Sequence, residues 1–320
     1  MKKALICGIS GQDGSYLAQL LLEKGYEVYG GSRDAQSGSF QNLVKLGIKQ
    51  DIQLVSINIT DFRNTLQSIQ KIKPDEIYNL SGQSSVGLSF EQPVETLESF
   101  IMGNLNLLES IRFIGLPIKL YNAGSSESFG DTLGKAADEA TAFRPRSPYA
   151  VAKATAFWQL ANYREAYHIY ACTGILFNHE SPLRKENFVT KKIISAACRI
   201  HRGSKEKLYL GNTDIYRDWG WAPEYVIAMW QMMQQEIPDD YVIATGKSNS
   251  LHDFIQMAFS KLALKPEEHV FTDPSLMRLT DLRIGKANPQ KAAEKLGWKA
   301  SIFLEGVIEK MIEAELMEDK

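Results

Sequence analysis

Residues 4–25 read ALICGISGQDGSYLAQLLLEKG, a short apolar run followed directly by a glycine-rich turn and an amphipathic helix. The run at 4–7 has the length and composition of a buried strand. From residue 12 to residue 24 leucines recur at helical spacing, and Gly25 is placed to end the helix. A strand that passes through a glycine turn into a helix is the first unit of an α/β sheet, so this stretch decides the fold.

Short apolar runs alternate with longer stretches of helical period through the first half of the chain. This alternation is typical of parallel strands joined by crossover helices, and it predicts a doubly wound, Rossmann-like parallel sheet. Residues 1–177 are expected to form the nucleotide-binding domain, and 178–320 mainly a smaller substrate-binding region that begins with an irregular loop. Strands are predicted at 4–7, 27–30, 53–57, 76–80, 119–122 and 170–177, with a return to the sheet within 213–246 through a strand at 240–246, and helices at 250–263, 289–296 and 302–318.

The composition excludes several classes of function. Lysine and arginine number 36 against 38 aspartates and glutamates, a formal charge of −2, so no global positive field favours nucleic acid. No run approaches the ~20 apolar residues of a membrane span. The three cysteines have neither disulfide-framework nor metal-ligand spacing. We therefore expect a cytoplasmic protein that binds no nucleic acid, membrane or metal.

The glycine turn has the spacing GxxGxxG, with Gly8, Gly11 and Gly14. Glycine permits a tight turn there and lets a pyrophosphate approach the amides at the helix N-terminus. Because the turn follows the first strand of an α/β chain, it predicts a dinucleotide-binding site.

The end of the second predicted strand indicates which nicotinamide cofactor binds, because an acid there binds a ribose 2′-hydroxyl and a base binds a 2′-phosphate. The chain has Arg33 followed by Asp34. If Arg33 points into the site, its planar guanidinium favours NADP. Asp34 favours NAD if it reaches the ribose, and is neutral if it only pairs with Arg33 in solvent. We expect NADP, with NAD as the alternative.

Two pairs of residues suggest chemistry on a sugar or alcohol. Tyr149 and Lys153 are four residues apart in a predicted helix and so share one helix face. An ammonium beside a phenol lowers the phenol's pKa from about 10, which allows Tyr149 to take a proton from a hydroxyl. Ser125 and Glu127 follow the fifth predicted strand, and they face the same side if extended geometry persists.

A simple oxidation does not require the carboxyl group of Glu127. Removal of hydride from a carbinol carbon needs only the phenol and a hydroxyl that holds the oxygen. Once C4 of a hexose is a ketone, however, its C5 proton is acidic, and a nearby carboxylate could remove it while helping the C6 hydroxyl leave as water. The four side chains together therefore indicate a β-elimination.

These residues resemble the extended short-chain dehydrogenase/reductase superfamily and, within it, most closely the GDP-mannose 4,6-dehydratases. The resemblance spans nearly the whole chain in the family's order. Its most specific segments are GILFNHESPLR at 174–184, FVTKKI at 188–193 and RDWG at 217–220, which separate the chain from the UDP-hexose epimerases. The other matching segments are GISGQDGSYLAQLLLEKGYEV at 8–28, PDEIYNL at 74–80, PRSPYAVAKA at 145–154, NYREAY at 162–167, LYLGN at 208–212 and DDYVIATG at 239–246.

The resemblance implies conversion of GDP-mannose to GDP-4-dehydro-6-deoxy-mannose and water. NADP would be regenerated in place, since C4 is oxidised, water leaves across C5 and C6, and hydride returns to C6. Ser125 would hydrogen-bond O4 and Glu127 would be the acid/base of the elimination. Tyr149 would be the base at O4, and Lys153 would tune Tyr149 and bind the nicotinamide ribose. A homodimer or homotetramer is also implied.

The resemblance further implies two sets of binding residues, of which the basic members supply cations for a diphosphate. The cofactor set comprises Gly8, Gly11, Gln12, Asp13, Gly14, Arg33, Asn58, Ile59, Leu80, Ser81, Gln83, His179 and Arg184, with Tyr149 and Lys153. The GDP-sugar set comprises Ser84, Ser85, Asn178, Val189, Lys192, Arg217 and Arg278.

The chain departs from the family at several of these positions. Ser125 stands where threonine is usual, Asn58 replaces an aspartate expected near the adenine, and Leu279 rather than proline follows Arg278. A single Arg33 and a shortened loop replace a pair of arginines after the second strand. Other interpretations of the residues are an epimerase, a ketosugar reductase, a dehydratase of another GDP-sugar, and a non-catalytic protein that binds a nucleotide sugar.

Overall fold

The structure is a computed structural model that describes residues 1–318. Its strands are β1 (Lys3–Cys7), β2 (Glu27–Ser32), β3 (Gln53–Ser56), β4 (Glu76–Asn79), β5 (Lys119–Ala123), β6 (Ala171–Leu176), β7 (Asn178–Glu180), β8 (Leu208–Leu210), β9 (Tyr216–Trp221), β10 (Tyr241–Ile243), β11 (Ser248–Ser250) and β12 (Val270–Thr272). Its α-helices are α1 (Gln12–Glu23), α2 (Gln41–Lys45), α3 (Phe62–Ile72), α4 (Val86–Glu91), α5 (Pro93–Leu97), α6 (Gly103–Ile114), α7 (Pro148–Tyr167), α8 (Val189–His201), α9 (Ala222–Met233), α10 (Leu251–Lys261) and α11 (Leu304–Glu318).

Seven parallel strands make the central sheet, in the order β10-β6-β5-β4-β1-β2-β3. The chain moves outward from β1 through β2 and β3, then crosses to the other side of β1 and continues through β4, β5 and β6. This reversal opens a crevice at the carboxyl ends of β1 and β4, where ligands of such sheets bind. The predicted doubly wound, Rossmann-like fold is confirmed.

Apolar side chains are buried on both faces of this sheet. Helices α1 and α9 pack on one face, and α3 and α6 pack on the other. Burial of apolar area stabilises a fold by about 25 cal/mol per Å². Because both faces are covered, the carboxyl ends of the strands form a rigid platform for the loops that follow them.

The first helix ends as its sequence predicts. Gly25 has a φ of +78°, in the left-handed region that glycine adopts without steric cost. The amides of Gly25 and Tyr26 donate to the carbonyls of Leu22 and Leu21, each at 2.9 Å. These bonds satisfy the last carbonyls of α1 and turn the chain into β2.

Residues after Phe177 build a second core that contains α8, α10 and α11. The irregular loop expected after Phe177 instead begins with β7, which pairs in parallel with β9, and β9 pairs antiparallel with β11. A three-residue strand such as β7 carries no sequence period of its own, and its partner lies far along the chain. The division into domains at residue 177 stays a prediction.

Two other predicted elements after residue 213 form, one as a shorter strand and one with a different helical geometry. The strand predicted at 240–246 is β10, which pairs with β6 at the edge of the central sheet. The helix predicted at 289–296 includes a π-helical turn, Ala292–Leu296, and Gly297 follows it at a φ of +67°. Within residues 1–318 no helix has both the length and the apolar character to cross a bilayer.

Candidate active site

Two glycines of the first turn are required by close backbone contacts. Gly8 has a φ of +90°, and a Cβ atom there would lie 2.7 Å from the carbonyl oxygen of Leu80. A Cβ at Gly14 would lie 2.4 Å from the carbonyl oxygen of Gly8. Both distances are shorter than real Cβ contacts. These glycines therefore let β1, β4 and α1 meet at the crevice.

Unlike Gly8 and Gly14, Gly11 is not required by close contacts within the protein. Its φ is −76°, which any residue adopts, and a Cβ there would meet only the Gly8 carbonyl oxygen at 3.4 Å. It is the N-cap of α1, and no side chain of the described residues caps that helix end. The first amides of α1 therefore remain available. This fits the close approach of a pyrophosphate to a helix N-terminus.

Asp13, in the first turn of α1, bonds across the crevice to His179 on β7. His179 Nδ1 lies 2.7 Å from the carbonyl oxygen of Phe177, and Nε2 lies 2.9 Å from Asp13 Oδ2. A carbonyl oxygen can only accept, so Nδ1 carries a proton. The charges of His179 and Arg184 outweigh burial and hold the pKa of Asp13 below its usual value. This contact ties the first turn of α1 to β7.

Further bonds attach the same turn to the segment after β6. Gln12 Nε2 donates to the carbonyl oxygen of His179 at 3.1 Å, and Ser181 Oγ donates to Gln12 Oε1 at 2.7 Å. Arg184 donates to the His179 carbonyl oxygen and to Glu180 Oε2. The predicted cofactor residues Gln12, Asp13, His179 and Arg184 are thus brought together in one network.

Lys153 of α7 is buried beside the end of β5. Its Nζ donates to the carbonyl oxygen of Ala123 at 2.6 Å and lies 4.0 Å from the ring centroid of Phe100. Burial lowers the pKa of Lys153 to about 7, and the charge of Asp13 acts in the opposite direction. The amine is therefore close to its titration midpoint at neutral pH.

Tyr149 lies on the same face of α7, with its ring centroid 5.7 Å from Lys153 Nζ. The sequence predicts that the neighbouring amine lowers the pKa of this phenol. In the structure burial dominates and raises the pKa of Tyr149 to about 12, a hydrogen bond with Ser125 opposes the rise, and the charge of Glu127 adds to it. The expected lowering is therefore corrected, because desolvation of a phenolate outweighs its neighbours.

Ser125 and Glu127 reach the crevice by a route that differs from the predicted one. Extended geometry persists to Ser125, at φ −150° and ψ 140°, and then a 3₁₀ turn begins at Ser126–Phe129. Ser125 Oγ caps that turn by accepting a hydrogen bond from the Glu127 amide at 3.3 Å. The two side chains are thus placed by a capped turn and not by strand alternation.

The carboxyl group of Glu127 is partly buried, with the side chain 17% exposed, and it has no hydrogen-bond donor within residues 1–318. Its nearest cation is Arg217, with Nε 4.0 Å from Glu127 Oε1. Burial raises the pKa of Glu127, Arg217 and Arg278 act to lower it, and Asp281 adds to the rise. An unbonded carboxyl with a raised pKa in a crevice is the type of group that serves as a general acid or base.

Asp281 organises the arginines on this side and was missed by the sequence analysis. Arg217 Nη2 donates to Asp281 Oδ1 at 3.0 Å, and Arg217 Nη1 donates to the Leu282 carbonyl oxygen at 2.7 Å. Arg278 lies 3.6 Å from the same carboxylate. The only available signal was its position three residues after Arg278.

The other predicted substrate residues lie on three elements. Asn178 is on β7, and Ser84 and Ser85 precede α4, where Ser85 accepts a hydrogen bond from the Leu88 amide. Val189 begins α8. Lys192, also on α8, donates to the Tyr209 carbonyl oxygen at 2.8 Å.

The remaining cofactor candidates lie beyond the ends of β2, β3 and β4. Asp34 does not pair with Arg33, because its carboxylate accepts from the amides of Gln36 and Ser37, each at 2.9 Å. The Arg33 guanidinium is 3.9 Å from Glu95. Asn58 Oδ1 accepts from the Thr60 hydroxyl at 2.9 Å. Backbone or side-chain hydrogen bonds also place the remaining cofactor candidates beyond these strand ends: Ile59, Leu80, Ser81 and Gln83.

Solved structures with this fold include sugar-nucleotide enzymes. UDP-glucose 4-epimerase of Thermus thermophilus, in complex with NAD, superposes with a TM-score of 0.85 at 22% identity and 98% coverage of each chain. The dTDP-glucose 4,6-dehydratase of Bacillus anthracis, also with NAD, gives 0.84 at 18% identity, covering 98% of this chain and 96% of its own. RMD of Pseudomonas aeruginosa, in complex with NADPH, gives 0.81 at 19% identity, with 99% and 100% coverage. At these identities the likeness establishes the fold.

Sequence comparison is more specific. The family model described as GDP-mannose 4,6 dehydratase matches residues 5–311. GDP-mannose 4,6 dehydratase 1 of Arabidopsis thaliana is 46% identical over 98% of this chain and 90% of its own length. GDP-mannose 4,6-dehydratase of Yersinia enterocolitica is 43% identical over 100% of this chain and 95% of its own. The resemblance drawn from the motifs is confirmed, and the chain belongs to the GDP-mannose 4,6-dehydratase family.

Proposed function

We propose that this protein converts GDP-mannose to GDP-4-dehydro-6-deoxy-mannose and water, as a lyase with NADP as a regenerated cofactor. The observation that carries the proposal is the Glu127 carboxyl, which is partly buried, free of hydrogen bonds within residues 1–318 and close enough for its charge to raise the pKa of Tyr149. An epimerase or a reductase has no use for an acid at that position. Family membership supports the same reaction and the same substrate.

The oxidation step uses Tyr149, Ser125 and Lys153. Tyr149 acts as the phenolate: it takes the proton of the C4 hydroxyl and becomes a neutral phenol while Ser125 hydrogen-bonds O4. Because burial raises the pKa of Tyr149, the phenolate depends on the positive charge of Lys153, whose Nζ lies 5.7 Å from the phenol ring. The bound nicotinamide supplies reversible hydride transfer. Gly11 and the open N-terminus of α1 would hold its pyrophosphate, and Lys153 its ribose.

The elimination step uses Glu127. Its carboxylate removes the C5 proton of the ketone, and the resulting carboxylic acid gives that proton to the departing C6 hydroxyl, which leaves as water. A raised pKa favours this exchange because it makes the carboxylate a stronger base toward the C5 proton.

The GDP moiety would lie against the basic side chains of the second region. Arg217 and Arg278 share Asp281, which holds both guanidinium groups toward Glu127. Lys192 lies on α8, and together these groups provide charge-assisted hydrogen bonds for a diphosphate. A hexose joined to that diphosphate would then extend toward Glu127.

NADP is inferred over NAD from the loop after β2. The Asp34 carboxylate is engaged by two amides of its own loop, whereas the Arg33 side chain is 82% exposed and, among the described residues, has only Glu95 at 3.9 Å. Arg33 is therefore the group available for a 2′-phosphate.

We infer a homo-oligomer, either a dimer or a tetramer, from helices α6 and α7. These helices pack side by side and carry Phe113 and Trp158, which are 70% and 63% exposed. Exposed apolar side chains on neighbouring helices favour burial against a second copy.

The three cysteines are unpaired, which is consistent with a reducing cytoplasm.

The test is incubation of the purified protein with GDP-mannose and mass spectrometry of the product. The expected product is lighter than the substrate by one water, with no net formation of NADPH. Stoichiometric consumption of NADPH would indicate a reductase, and an unchanged mass with altered chromatography would indicate an epimerase. Either result would contradict the proposal.

A further inference from the structure

Phe100 is a buried ring with no role in the reaction described so far. It is 2% exposed and lies in a π-helical turn, Glu98–Met102, between α5 and α6. Such turns are rare and often occur at functional sites, because the extra residue shifts one side chain out of helical register. The ring is therefore placed by an irregularity of the backbone.

The backbone opposite the ring is also adapted to it. Gly82, in the loop after β4, has a φ of +126°, and a Cβ there would lie 2.3 Å from Phe100 Cε1. No residue with a side chain could occupy position 82 while the ring stays in place. The ring is thus confined between this loop and α7.

On α7 the ring contacts both members of the Tyr149 and Lys153 pair. Lys153 Nζ lies 4.0 Å from the ring centroid, over its face. The Tyr149 ring packs at right angles to it, with centroids 5.5 Å apart and planes at 84°. The face of an aromatic ring carries partial negative charge and attracts an ammonium, most strongly where water is excluded.

The other groups around Lys153 satisfy only part of its ammonium, so the contact with the Phe100 ring contributes to stabilising its charge. An ammonium has three donors, and within residues 1–318 only one of them is used, by the Ala123 carbonyl oxygen at 2.6 Å. Within residues 1–318, Asp13 of α1 is the only carboxylate whose charge raises the pKa of Lys153. A hydrogen bond with Ser125 and the charges of Glu127, Arg184 and Asp13 act on the pKa of Tyr149.

We propose that Phe100 is a positioning residue of the proposed reaction: its ring face holds the Lys153 ammonium in place and keeps it charged, and its packing fixes the Tyr149 phenol beside it. This inference rests on the proposed function, in which the two side chains act together. Its direct consequence is an effect of the Phe100 ring on the pKa of Lys153, which can be measured without turnover.

The test replaces Phe100 with mono-, di- and trifluorinated phenylalanine, incorporated only at that position. Fluorine withdraws charge from the ring face with little change in volume, so packing is conserved while the cation–π attraction weakens. Lys153 is followed by NMR of protein labelled with carbon-13 at lysine Cε, with its signal assigned by its loss in Lys153→Arg. The pKa of Lys153 should fall stepwise along the series, by up to about one unit.

Phe100→Leu should lower the pKa of Lys153 at least as far as the trifluorinated ring. The matched control is Phe259→Leu, which removes an equally buried ring from α10 in the second core and should leave Lys153 unchanged. With GDP-mannose, kcat at neutral pH should fall along the fluorinated series while KM stays constant.

Absence of a trend with fluorine content would overturn the proposal, as would an equal shift in Phe259→Leu. If the protein proved not to be a dehydratase, the NMR titration would still decide whether the ring holds the ammonium. Failure of this inference and failure of the proposed function are thus distinguishable.

Discussion

The cofactor half and the sugar half of the crevice are built differently. In the cofactor half, the turn at Gly8–Gly14 is fixed by hydrogen bonds, with Asp13 to His179 at 2.9 Å and Ser181 to Gln12 at 2.7 Å. In the sugar half, the Glu127 carboxyl accepts no hydrogen bond within residues 1–318, and its nearest cation is 4.0 Å away.

This difference follows from what each half is proposed to do. A cofactor that is regenerated in place needs a site that is complete before it binds, and bonded pairs provide that preorganisation. A group that gives and takes a proton needs lone pairs that are not already committed. Substitutions in each half therefore report whether the cofactor half is fixed by its hydrogen bonds and whether the Glu127 carboxyl of the sugar half is free to exchange a proton.

The largest effect is expected for Glu127→Gln. The amide keeps the shape of the side chain but cannot remove a proton, so kcat for water loss should fall by about 10²- to 10⁴-fold. The dissociation constant for NADP, measured by fluorescence titration, should not change because the described part of the cofactor half makes no bond to this residue. Normal dehydration by the variant would contradict the role given to Glu127.

Asp13→Asn should break the pair that closes the cofactor half. The pKa of Asp13 is below its usual value, so its carboxylate stabilises the fold above its unfolded pKa of about 3.9, and this contribution is lost as pH falls through the folded pKa. At neutral pH we expect the variant to lose about 1–3 kcal/mol of unfolding free energy, measured by urea denaturation. The deficit should shrink below about pH 3.

A double-mutant cycle with His179→Gln is the control for this effect. If the two side chains form one unit, the double variant should lose less than the sum of the single variants, by at least about 0.5 kcal/mol. Strict additivity would show that the contact contributes nothing.

Arg33→Ala tests the exposed rim of the cofactor half. Removal of one charge-assisted hydrogen bond should weaken NADP binding by about tenfold, which corresponds to about 1.4 kcal/mol. NAD has no 2′-phosphate, so its dissociation constant is the matched control and should stay constant. Equal weakening of both cofactors would argue against contact between Arg33 and the phosphate.

The smallest effect is expected for Asp281→Asn in the sugar half. Asp281 raises the pKa of Glu127 and occupies Arg217, so its neutralisation should lower the pKa of Glu127 and let the arginine approach. The acid limb of the pH–rate profile should then move to lower pH by less than about one unit. Movement to higher pH would contradict the arrangement of charges in this half.

The two halves also differ in how much could be predicted from the sequence. The glycine turn can be recognised locally, because glycine at positions 8 and 14 indicates that other backbone segments approach closely there. Tyr149 and Lys153 can also be paired from the sequence, because residues four apart on a helix share a face. Asp281 and Phe100 are different, because they gain their meaning from partners on other elements. Neither belongs to a motif whose spacing could indicate it.

The sequence by itself determined the strands of the central sheet, the glycine turn and the pairing of phenol with amine, because these depend on hydrophobic period and on contacts within a few residues. Only the tertiary structure decided the charge state of that pair, with Tyr149 at a pKa of about 12 and Lys153 at about 7. The same holds for the contact between His179 and Asp13 and for the lack of hydrogen bonds to the Glu127 carboxyl within residues 1–318. Desolvation and long-range charge depend on which segments exclude water from a group, and that is set by packing between elements distant in the chain.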